Sequence, residues 1–146
     1  MLRAHLTNNL LKLLMAITFL PDPRMILMCD FTTGFERHEM QKIRHCVVTS
    51  PMRRSGTCVI VPVSKQAPHK IEQWHYKIPQ NSYRCMESDT DLWVKGDMIT
   101  HVAISRLSLP KENHKEVRAY FKGEDMKELL RAVFHAICCG HVADRL

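Results

Sequence analysis

Hydrophobic and polar positions along the chain sort into recognisable stretches. Residues 25–31 (MILMCDF), 43–50 (IRHCVVTS) and 57–64 (TCVIVPVS) are short runs rich in β-branched and apolar residues, and each predicts a strand. QWHYKIP alternates, with Trp74, Tyr76 and Ile78 on one face and Gln73, His75 and Lys77 on the other. LWVKGDMITHVAISRL holds two more short strands around Gly96 and Asp97. The tail GEDMKELLRAVFHAICCGH changes period. Met126, Leu129, Leu130, Val133, Phe134 and Ile137 form an apolar helical stripe, and Glu124 and Asp125 sit in the first turn where the helix dipole favours anions. The stripe predicts a helix over about 124–138, with Gly140 as its stop.

Between these stretches the turn signals are clear. PDP at 21–23 cannot continue a helix or a central strand and marks entry to the fold. PMRRSGT is a turn built on Pro51, Ser55 and Gly56. KQAPHKIE and YRCMESDTD read as loops, and PKENHKE breaks the β pattern. Five or six short strands followed by one terminal helix predict a mainly β fold, a small barrel or sandwich covered by a helix.

Composition narrows the class. The chain has 146 residues, 45% apolar and 25% charged, which suits one globular domain. A net charge of +6 favours an acidic partner: nucleic acid, an anionic surface or an acidic protein. The six cysteines include no C-x-x-C pair, so zinc-ribbon spacing is absent, no metal or other cofactor is expected, and the thiols read as reduced and mostly buried in a cytoplasmic protein. His135, Cys138, Cys139 and His141 are close enough in sequence for a helix-end metal clip, but no further ligand pattern supports one. The apolar run near the N-terminus is broken by Lys12 and is too short to span a membrane. Met15 reads as a natural start, which makes residues 1–14 an expected non-native or disordered extension and 15–146 the single domain.

The chemistry-bearing residues concentrate between the first two strands. Glu36, Arg37, His38, Glu39, Lys42 and Arg44 crowd a connection that a plain hairpin would make with a Gly and a polar residue or two. In order, ILMCDF, TGFERHEMQKIRHCVVTSP, CVIVPVSKQAP and WVKGDMITHVAISRL resemble the successive strands and loops of the MazF/PemK-type toxins of bacterial type II toxin–antitoxin systems. The resemblance covers about Pro21 to Leu107. It implies an SH3-like, strongly twisted β-barrel with a C-terminal helix, usually a homodimer. It further implies a sequence-specific endoribonuclease that cuts single-stranded mRNA and is neutralised by a small acidic antitoxin, with DNA binding through the antitoxin complex.

Metal-free RNA cleavage by the ribose 2′-OH needs a base, an acid and fixed donors for the phosphorane. By resemblance, Arg44 matches the family's catalytic Arg at the start of the second strand and Ser64 its catalytic Thr or Ser. Asp97 with Lys95 matches a basic-x-Asp base and acid, with both side chains expected on one strand face. His38 and Glu39 match a His-Glu pair over the RNA groove, and Arg53, Arg54 and Lys65 are candidate phosphate contacts. Trp74 and Tyr76 could stack on bases, with barrel packing as the plainer role. Two departures stand out: His45 where the family usually has Pro, and Lys95 where it has Arg. They keep open a non-catalytic toxin of the same fold, like the gyrase-poisoning CcdB group, and a degenerate member that binds RNA or a partner without cutting.

Overall fold

A computed structural model of the chain describes residues 16–34, 40–52 and 55–145; the predicted extension 1–14 and the candidates His38, Glu39, Arg53 and Arg54 lie outside the described residues. Among the described residues ten strands run in the order β1 (Met25–Asp30), β2 (Ile43–Met52), β3 (Thr57–Ser64), β4 (His75–Ile78), β5 (Leu92–Lys95), β6 (Thr100–Ala103), β7 (Leu107–Ser108), β8 (Lys111–Glu112), β9 (Lys115–Glu116) and β10 (Ala119–Tyr120). Helix α1 (Gly123–Ala136) and a single turn α2 (Gly140–Ala143) follow.

The main sheet is antiparallel, in the order β10-β1-β2-β3-β5-β4. Its long strands share their edges. The first half of β3 pairs with β6 and its last two residues with β5, while β1 pairs with β10 at Met25–Ile26 and with β7 at Met28–Cys29. A register shift between Val48 and Ser50 adds a bulge to β2. Shared edges and a bulge are what a strongly curled sheet requires, because a flat strand could not change partner along its length. The result is a curled half-barrel with a C-terminal helix, as the strand pattern and the family resemblance both implied.

Curling buries both faces of β1, β2 and β3. One face (Ile26, Val47, Val61, Val63) packs under α1 through Leu129 and Val133. The other face (Leu27, Cys46, Val48, Ile60) closes on itself, with Ile17 and Leu107 added. This double burial is why these strands read as continuous apolar runs rather than alternating ones. Each large side chain so buried contributes about 1.5–3 kcal/mol. All six cysteines are unpaired, and Cys46 and Cys58 belong to this second core.

Helix α1 is docked by polar contacts at its start and by a close approach in its middle. The Tyr76 hydroxyl donates to Asp125 Oδ1 at 2.6 Å, and the Tyr83 hydroxyl donates to Asp125 Oδ2. The Lys122 amide in turn donates to the Tyr83 oxygen at 2.9 Å. Farther along, a Cβ on Gly96 would stand 2.5 Å from the Ala132 carbonyl carbon and 2.7 Å from the Val133 nitrogen, so only glycine lets the helix backbone come this near.

Two local expectations are corrected. PKENHKE does not break the β pattern. It forms the β8–β9 hairpin, whose two turn residues Asn113 and His114 both take positive φ (49° and 64°), the backbone that two-residue hairpins need. Gly140 is not the stop of α1. The left-handed residue is Cys138 (φ 61°), and the Cys139 amide closes the helix end on the Phe134 carbonyl at 2.7 Å. Gly140 instead begins α2, where a Cβ would meet His135 Nδ1 at 2.8 Å.

Candidate active site

Arg44 and Ser64, twenty positions apart, are brought together by strand pairing. Cys46 pairs with Pro62, and two residues farther along both strands Arg44 and Ser64 lie on the same sheet face. Arg44 Nη1 donates to Ser64 Oγ at 3.2 Å. Ser64 Oγ also accepts from the Gln66 amide at 3.1 Å, a serine turn that ends β3. Both acceptor positions of the hydroxyl are thus filled by donors, and its own proton stays available. Ser64 is only 2% exposed, so the half-buried guanidinium covers it. Arg44 Nε is buried with no hydrogen-bond partner among the described residues. An unmet buried donor on a cationic fork is costly to folding and is the kind of group an incoming anion would satisfy.

The pair belongs to a continuous cross-strand row. Leu107 pairs with Cys29, Cys29 with Arg44, Ser64 with Trp93 and Trp93 with Lys77. The row runs from a fully buried leucine to an exposed lysine, and Arg44–Ser64 sits where it turns polar. Sequence reasoning missed Trp93, although counting back two positions from Lys95 would have put it on the same face. Lys77 is paired with Asp91 at 3.4 Å.

Lys95 ends β5 opposite His75, half-buried and two residues beyond Trp93. Asp97 does not share its strand, because the chain enters a 3-10 turn at Gly96–Met98 and leaves Asp97 exposed there. Strand alternation therefore does not align the two. No hydrogen bond or ion pair joins either one to Arg44 or Ser64 among the described residues. Lys65 is exposed next to Ser64.

The unusual His45 has a clear role in packing. Its side chain lies on the opposite face from Arg44 and its Nε2 contacts the Cys85 carbonyl at 2.9 Å. A carbonyl only accepts, so Nε2 carries the proton. Burial, aided by nearby Lys65 and opposed by the carbonyl, holds the imidazole below its ordinary pKa. The ring ties β2 to the 3-10 turn Arg84–Met86, a tertiary tie where a proline would have offered only a fixed φ.

The remaining candidates separate from the site. Tyr76 commits its hydroxyl to Asp125, and half-buried Trp74 stands edge-on to His75. In the tail, His135 packs on Gly140 while Cys138 and His141 are exposed, and among the described residues no three His, Cys, Asp or Glu side chains converge as a metal site requires. No helix among the described residues is long and apolar enough to cross a membrane. Burial pushes the Cys58 and Cys85 thiols up to about 11 and holds Cys46 well above the ordinary thiol value, which leaves them poor nucleophiles.

Residues 22–137 match the sequence pattern of the PemK-like, MazF-like toxins of type II toxin–antitoxin systems, and the chain belongs to that family. Solved structures agree on the fold. MazF from Deinococcus radiodurans superposes with a TM-score of 0.60 at 18% identity, covering 82% of this chain and 98% of that one. An endoribonuclease in complex with its cognate antitoxin from a mycobacterial species gives 0.55 at 12%, covering 81% and 95%. The Mycobacterium tuberculosis toxin MazF-mt6 gives 0.54 at 10%, covering 79% and 97%. No curated protein matches the chain.

Proposed function

We propose that this toxin-family protein is a sequence-specific endoribonuclease that cuts single-stranded mRNA by attack of the ribose 2′-OH, without a metal cofactor. The observation that carries the proposal is the Arg44–Ser64 contact at 3.2 Å, with the unmet donor of Arg44 beside it. A planar guanidinium anchored by a buried hydroxyl can turn its remaining N–H groups to a phosphorane. Ser64 acts first by orienting Arg44. Asp97 as base and Lys95 as acid complete the proposal, with Lys65, His38, Glu39, Arg53 and Arg54 as RNA contacts. The functional unit is the domain 15–146, and a chain starting at Met15 should cut as the full chain does.

Family membership supports an antitoxin partner, and a structural neighbour is described as bound to its own. Here the antitoxin would be a small acidic protein whose binding covers Arg44 and weakens with salt. A cytoplasmic homodimer is the assembly this proposal carries. The test is cleavage of a long single-stranded RNA in EDTA, beside the same RNA with one 2′-deoxyribose at the cut site. Cutting of the first and resistance of the second are expected. Normal cleavage of the deoxy substrate would rule out the chemistry.

One observation favours a second reading, in which the protein binds RNA or a partner without cutting: Lys95 and Asp97 make no contact with the Arg44–Ser64 pair among the described residues. Binding of intact RNA with no cleavage under any condition would support it.

A further inference from the structure

We propose that Arg106 is a positioning residue that fixes the exit of β1, and with it Arg44, which lies one register position away. This inference rests on the nuclease reading for its catalytic part only. Arg106 ends a 3-10 turn, Ile104–Arg106, immediately before β7. Because Leu107 pairs with Cys29 and Cys29 pairs with Arg44, Arg106 comes level with Asp30, the last residue of β1, which pairs with Ile43. Its Nη1 donates to the Asp30 carbonyl at 3.1 Å and to the Thr33 carbonyl at 2.8 Å. Its Nη2 stands 3.1 Å from where a Cβ of Gly34 would be, and Gly34 has φ +77°.

The gripped segment is also tied from within. Asp30 Oδ1 accepts from the Thr32 amide at 2.8 Å and from the Thr32 hydroxyl. One guanidinium therefore bridges the last carbonyl of a strand and a carbonyl of the turn that leaves it. Both bonds come from the two N–H groups of Nη1, whose directions the planar guanidinium fixes at the full reach of the arginine side chain. The consequence falls on Arg44. β1 is the neighbour that holds β2 at its first residues, and Ile43 and Arg44 pair only with Asp30 and Cys29 on that side. If the β1 exit frays, the strand carrying Arg44 loses its outer support while the buried ladder from Cys46 onward keeps its partners on both sides. A small displacement of a catalytic donor is expensive in rate even where it is cheap in stability.

The test compares the wild-type chain with Arg106→Gln and Arg106→Lys in two measurements. The first is amide hydrogen exchange. Faster exchange at Thr32–Gly34 is expected in both variants, with Val47 and Val61 unchanged. The second is single-turnover cleavage of a long single-stranded RNA. The maximal rate should fall roughly 10- to 100-fold, the scale of a slightly misplaced catalytic group, with KM unchanged. Arg106→Lys should not rescue, because a lysine Nζ stops one bond short of the Nη1 position and no planar group fixes its N–H directions. If Arg106→Gln does not fold, Arg106→Lys carries both comparisons. Unchanged exchange at Thr32–Gly34, exchange raised equally through the core, or full rescue by lysine would overturn the proposal. If the wild-type chain does not cut RNA, the nuclease reading falls by itself and the exchange result alone decides whether Arg106 holds the segment.

Discussion

Replacing Arg44 and Ser64 together, as Arg44→Met with Ser64→Ala, should change the protein's stability by no more than about 1 kcal/mol in either direction, while cutting RNA cleavage by orders of magnitude. Two energies oppose each other at this pair. The Arg44–Ser64 hydrogen bond, with one charged partner, contributes about 1.5–3 kcal/mol. Against it stands the buried Arg44 Nε with no partner among the described residues, a desolvation cost of about 1–3 kcal/mol. Met keeps most of the arginine stem, so its packing beside buried Cys29 survives, and removing both polar partners leaves no donor stranded on either side. Only the Gln66 amide loses an acceptor, and Gln66 is exposed, so water replaces it. The two terms cancel to within about 1 kcal/mol in either direction, or about 3 °C in melting temperature for a chain of this size. Activity behaves differently: loss of a transition-state donor costs about 10²–10³ in rate. The assays are urea unfolding of the double variant and single-turnover cleavage in EDTA. A destabilisation above about 2 kcal/mol would show that the pair is part of the scaffold and refute the reasoning. Cleavage at the wild-type rate would remove Arg44 from the chemistry.

Further outcomes follow from the fold. Gly96→Ala drives a Cβ into the backbone at Ala132 and Val133, so the helix must retreat, and urea unfolding should show a loss of about 1–3 kcal/mol or more. Cys138→Gly relieves a side chain held at φ 61° and should stabilise by about 0.5–1 kcal/mol once the greater freedom of glycine in the unfolded chain is counted. For His45 the sign follows from its lowered folded pKa. Neutral in both states above the ordinary value of 6.5, it gives no slope there; as pH falls from 6.5 through the lower folded value, the unfolded chain takes up the proton first and stability is lost. The wild-type chain should therefore lose stability below pH 6.5 more steeply than His45→Gln, by up to about 1.4 kcal/mol per pH unit. Equal slopes would mean that His45 is not held neutral by the fold.

Much of this molecule was legible along the chain because the signals are local. The runs MILMCDF, IRHCVVTS and TCVIVPVS became β1, β2 and β3 since β-branched and apolar residues in runs of that length need a sheet to bury them. The stripe from Met126 to Val133 became α1 for the same reason at a different period. Arg44 and Ser64 were picked out by their match to the family's motifs at strand ends, which is again a local signal. What tertiary structure decided is whatever depends on partners distant in sequence. Strand register made Arg44 and Ser64 neighbours, added Trp93 to their row, and put Asp97 in a turn away from them. His45 looked like a defect in a motif until the Cys85 carbonyl, forty positions on, supplied its partner. Gly96 looked like a turn residue, and Gly140 like a helix stop, because composition cannot reveal a helix backbone or a His135 ring packed against a missing Cβ. Arg106 stood only as the closing arginine of the WVKGDMITHVAISRL segment, with no sign of what it holds, since the two carbonyls lie more than seventy positions earlier. Period and propensity report what each residue does to its own stretch of chain; register and close approach are properties of pairs, and a single sequence does not state its pairs.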